Sequence, residues 1–94
     1  MEKIELKNLK KQIIKILKKN KVSKAGIFGS YARNENNKKS DVDILIEVNG
    51  SLLDVIKIEQ ELEEVLHMKV DLLTYEGINP LLKKRILEEE VRII

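Results

Sequence analysis

Cysteine and tryptophan are missing from this 94-residue sequence, and proline and histidine each occur once. Without a thiol there is neither a disulfide framework nor a thiolate zinc site. The aromatic residues are Phe28, Tyr31 and Tyr75 alone. None lies among the lysines that crowd the start of the chain, so a stacking platform for nucleic acid is not expected. No apolar run approaches the ~20 residues of a membrane span. The opening MEKIELKNLKKQ is charged from its second residue and has no apolar signal core. With 43% hydrophobic and 36% charged residues the chain reads as folded rather than disordered. A cytoplasmic protein without membrane contact, one domain over residues 1–94, is the expectation.

A net charge of +2 hides an asymmetry: residues 1–24 hold nine lysines and two glutamates, whereas residues 25–94 hold nine basic and fourteen acidic side chains. The lysines alternate with Leu6, Leu9, Ile13, Ile16 and Leu17 at spacings of three and four. That pattern predicts an amphipathic helix over 3–19 whose outer face the lysines solvate.

Residues 22–28 read as a short strand that Gly29-Ser30 breaks before a short helical turn. A polar loop follows over 34–40, and DVDILIEV (41–48) is the strongest strand in the chain. Ser51, with Asp54 three residues on, begins a helix to about Leu66. KVDLLT (69–74) is a third strand, and Asn79-Pro80 opens a last helix to about Glu89 or Glu90. Residues 91–94 fit either a frayed helix end or a final strand. The order predicts an α/β protein, a small sheet flanked by helices.

Asp41 and Asp43 are two residues apart on a strand, so both side chains point to one face, roughly 6.5–7 Å apart. The other face is apolar through Val42, Ile44, Ile46 and Val48, and Leu45 continues the carboxylate face. Paired carboxylates repel one another, and a divalent cation resolves the repulsion. Asp71 sits between Val70 and Leu72 in another apolar strand, where a lone carboxylate has little structural purpose. If that strand neighbours 41–48, the three carboxylates suit a two-metal site. Gly29-Ser30 after a strand exposes backbone N–H groups of the kind that bind phosphate, with Arg33 close by to add positive charge. His67 at a helix end and Met68 read as structural. Tyr31 and Tyr75 could face either a ligand or the core.

The stretch GSYARNENNKKSDVDILIEV resembles the signature of the DNA polymerase β-like nucleotidyltransferase superfamily, and within it the minimal nucleotidyltransferases. The similarity extends through the leading helix, KVDLLT and NPLLKKRILEEEVRI. It implies a palm-like mixed sheet flanked by helices, with Gly29, Ser30 and Arg33 holding a nucleoside triphosphate, ATP above all. Asp41, Asp43 and Asp71 would bind two Mg²⁺ ions, and Asp71 would also activate the acceptor hydroxyl. One departure is Asn34, where the family commonly has glycine after the arginine; asparagine tolerates left-handed backbone.

Many members of that family are antitoxins of HEPN-domain ribonuclease toxins. The resemblance therefore implies transfer of AMP from ATP to a tyrosine of a partner HEPN toxin, releasing pyrophosphate. It also allows assembly with the toxin or with a second copy. Two alternatives stand beside it: an antitoxin that neutralises its toxin by binding alone, and nucleotidyl transfer to a small molecule. The length favours a protein acceptor, because a catalytic domain of this size has no room for a separate acceptor-binding domain.

Overall fold

A computed structural model describes residues 6–94. Helix α1 (Leu6–Lys19) is followed by strand β1 (Lys24–Phe28), the single turn α2 (Gly29–Ala32) and strand β2 (Val42–Glu47). Helix α3 (Leu52–Leu66), strand β3 (Val70–Thr74), helix α4 (Pro80–Glu89) and the two-residue strand β4 (Val91–Arg92) complete the chain. The expected helix start at residues 3–5 lies outside the described residues.

The four strands form one mixed sheet in the order β3-β2-β1-β4. Strand β1 is antiparallel to both β2 and β4, while β2 and β3 run parallel through the α3 crossover. The open question at the C-terminal end resolves as a strand: Gly26 faces Arg92 and Ile27 faces Val91. Ala25 continues the pairing, its carbonyl accepting from the Ile93 and Ile94 amides.

Alternation along β2 divides the molecule into two layers. Val42, Ile44 and Ile46 point into the larger core, where α1 and α3 contribute Ile13, Leu17, Ile58 and Leu62. Leu45 points the other way, into a smaller cluster with Phe28, Ile78 and Ile86 of α4. The lysines of α1 lie outside the buried stripe of Leu9, Ile13, Ile16 and Leu17, as its periodicity requires.

Helix boundaries follow from local chemistry. The Ser51 amide donates to the Asp54 carboxylate at 2.8 Å, which fixes the start of α3. His67, exposed and left-handed at φ 54°, ends that helix with its amide on the Glu63 carbonyl. The Asn79 side chain accepts from the Leu81 amide at 2.9 Å, with Pro80 at the first helical position. Tyr31 is 3% exposed and Met68 is half-buried, both against the larger core.

Candidate active site

The sheet register brings the predicted carboxylates together. On the parallel strands β2 and β3, Asp43 stands opposite Asp71, and Val42 opposite Val70. Asp41 lies one residue before β2, half-buried, and its charge acts on Asp43. On the other side of β2, Phe28 is the register partner of Asp43, so the chain leaves β1 at Gly29 directly beside the Asp43 side chain.

That closeness explains the glycine. Gly29 has φ +73°, and a Cβ there would meet Asp43 Oδ2 at 2.1 Å. Both the left-handed backbone and the missing side chain are needed for the turn to pass over the carboxylate. Ser30 follows in α2, half-exposed, and its carbonyl accepts from the Glu35 amide at 2.8 Å. Asn34 adopts φ +57°, the left-handed conformation for which asparagine was a tolerable replacement for glycine.

Asp43 is held in an unfavourable electrostatic position. Its carboxyl is pushed up to about 6, first by burial, then by the negative charges of Asp71 and Asp41, against the opposing pull of Arg33. A site of this kind carries more negative charge than its protein partners neutralise. Oxygen donors with unbalanced charge fit a hard divalent cation such as Mg²⁺. Among the described residues no group of three carboxylates closes into a ready metal cage.

Two glutamates absent from the sequence-based expectations, Glu89 and Glu35, pair with groups of this site. Glu89, in the last turn of α4, accepts from the Gly29 amide at 3.0 Å. It also accepts from Arg33 Nη1, which lies 3.2 and 3.1 Å from its two oxygens. Glu35 takes the Arg33 Nε at 2.6 Å, and the two carboxylates hold the guanidinium strongly protonated. Glu90 accepts from the Tyr75 hydroxyl and lies against Gly26, where a Cβ would meet its Oε2 at 2.0 Å. Burial and this carboxylate raise the Tyr75 hydroxyl above its ordinary value, and the Lys24 ammonium sits 4.4 Å over the ring.

A signal for these glutamates was present in the sequence. Glu88-Glu89-Glu90 closes a helix with no basic residue in its last turn, against the macrodipole, so the acids there need partners from elsewhere. A cavity of about 710 Å³ opens at the opposite ends of β2 and β3, beside Val48, Leu52, Val55 and Thr74. It is remote in register from Asp43 and Asp71 and includes none of the three aspartates.

A family model for the nucleotidyltransferase domain matches residues 10–94. The chain belongs to this nucleotidyltransferase family. A Methanocaldococcus jannaschii protein provisionally named as a protein adenylyltransferase is 52% identical over 93 residues, covering 97% of this chain and 100% of that protein. Among solved structures, one provisionally described as a minimal nucleotidyltransferase superposes with a TM-score of 0.79 at 28% identity, over 94% of this chain and 95% of that one. The fold also matches, with a TM-score of 0.74 at 22% identity, a complex of a tri-AMPylated Shewanella oneidensis HEPN toxin with its MNT antitoxin. That match covers 94% of this chain and 71% of the other. The palm-like mixed sheet expected from the sequence is the fold of this nucleotidyltransferase.

Proposed function

We propose that this nucleotidyltransferase, acting as a single domain, moves AMP from ATP to a tyrosine hydroxyl of a HEPN-type toxin and thereby silences it. The observation that carries this reading is the register pairing of Asp43 with Asp71 beside the side-chain-free turn at Gly29. The adenylyltransferase name of the 52%-identical relative supports AMP as the transferred group. The AMPylated HEPN toxin in the neighbouring complex supports the class of acceptor.

In this reading Gly29, Ser30 and Arg33 hold the triphosphate, the backbone through close approach and Arg33 through charge. Asp41, Asp43 and Asp71 would hold two Mg²⁺ ions, which would withdraw charge from the phosphates and acidify the acceptor hydroxyl. Asp71, on the exposed side of the carboxylate row, receives the proton of that hydroxyl. The hydroxyl oxygen bonds to the α-phosphorus as the bond to the pyrophosphate oxygen breaks, and pyrophosphate leaves. Positioning and charge neutralisation supply most of the rate.

Incubation with α-labelled ATP, Mg²⁺ and a HEPN toxin tests the proposal. Label and an added AMP mass on a toxin tyrosine are expected, and neither with the Asp41→Asn/Asp43→Asn protein. Full inhibition of the toxin by that variant, with no mass change, would establish neutralisation by binding instead.

A further inference from the structure

Two of the three groups proposed to hold the triphosphate already hold an anion of the chain itself. The Glu89 carboxylate takes the Gly29 amide at 3.0 Å and the Arg33 guanidinium at 3.1 Å. We infer that Glu89 is an internal competitor for phosphate, a side chain that occupies the seat between Gly29 and Arg33 and that an incoming polyphosphate must displace. The inference rests on the reading of Gly29 and Arg33 as phosphate-binding groups.

Three features of the surroundings support displacement of the side chain rather than of the helix. Ile86, one turn earlier in α4, is buried in the smaller core with Phe28 and Leu45. Glu90, immediately after, lies against Gly26 and accepts from the Tyr75 hydroxyl. Val91 and Arg92 then pair with β1. The backbone is thus fixed on both sides of Glu89, and its side-chain torsions are the free coordinates.

The contact is also weak enough to yield. The Arg33 and Glu89 side chains are 39% and 18% exposed, and partly exposed ion pairs are worth little. One carboxylate charge competes there against the several charges of a triphosphate. While the seat is filled by Glu89, Arg33 is paired and the Gly29 amide is satisfied, so neither group is an open anion trap for other solutes.

Calorimetric titration with inorganic tripolyphosphate and with MgATP tests the inference, on wild-type protein and on Glu89→Gln, Glu88→Gln and Arg33→Gln. Glu89→Gln is expected to bind both probes about fivefold tighter, the upper range for releasing one partly exposed ion pair. Glu88→Gln changes net charge equally on an exposed neighbour and is expected to leave both affinities unchanged. Equal or weaker binding by Glu89→Gln would overturn the inference, as would the same gain in Glu88→Gln. If Arg33→Gln weakens MgATP binding while Glu89→Gln gains nothing, the phosphate seat stands and the competitor falls. If neither wild type nor any variant binds either probe, both readings fall. Melting temperatures are read in parallel, and should Glu89→Gln fail to fold, Glu89→Asp, whose shorter side chain withdraws the charge from the seat, replaces it with the same expected gain.

Discussion

Asp43 and Asp71 occupy one register position on adjacent parallel strands, two carboxylates side by side where sheets ordinarily place complementary partners. Folding brings these charges together at a cost, and the cost is readable in the titration of Asp43.

Stability in metal-free buffer is therefore expected to fall with rising pH across the acid range. The Asp43 carboxyl titrates at about 6 in the folded protein against an ordinary value of 3.8, so between those values the folded chain binds the proton more tightly. The contribution is fully present below pH ~4 and lost as the pH passes through about 6. Asp43→Asn should melt higher than wild type at pH 7.5, with the gap closing toward pH 4. A gap that stays constant across a pH series of thermal melts would refute the assignment.

Added Mg²⁺ should restore what Asp43 ionisation removes. Wild-type protein is expected to gain melting temperature on titration with Mg²⁺ at pH 7.5, and Asp41→Asn/Asp43→Asn to gain none. Each single Asp→Asn change should lower the AMP-transfer rate by about 10²–10³, the scale seen when one electrostatic group is lost from a preorganised site. Single-turnover rates with excess enzyme measure this directly.

Gly29→Ala introduces a Cβ 2.1 Å from Asp43 Oδ2 at a backbone φ of +73°. The left-handed strain alone costs about 1–3 kcal/mol. The carboxylate must also move, so activity should disappear even where the protein remains folded. Urea denaturation gives the first quantity and the transfer assay the second.

Asn79→Ala removes the side-chain oxygen that accepts the Leu81 amide at 2.9 Å. A loss of about 1 kcal/mol in urea denaturation is expected, the usual worth of a helix N-cap. Because α4 carries Glu89, the same change should alter MgATP affinity more than an equally destabilising substitution in α1.

Much of this architecture was legible from local pattern. The alternation of DVDILIEV set which residues face which layer, and Leu45 does share its side of the sheet with the carboxylates' neighbours. Asn79-Pro80 and Ser51 with Asp54 located two helix starts because capping is a short-range hydrogen-bond problem. The pairing of Asp43 with Asp71 was only conditional, since register between β2 and β3 is settled by how α3 packs across both strands. Glu89 was not legible at all from motif spacing. Its role depends on α4 returning beneath β1, a contact between residues 60 positions apart, and only the acidic helix end hinted at it.

β3 lies at the edge of the sheet, yet two of its backbone amides are not open. Val70 donates to the Glu63 carboxylate at 3.0 Å and Leu72 to that of Glu59 at 3.1 Å, both glutamates reaching down from α3. Strand addition at this edge would have to break two charge-assisted hydrogen bonds before forming its first. On the proposed reading, an acceptor polypeptide would find both of these amides on β3 already taken. The same reading has it reach the exposed Asp71 with a side chain rather than an extended strand, so that recognition falls to the shape of the partner's surface and not to a linear peptide motif.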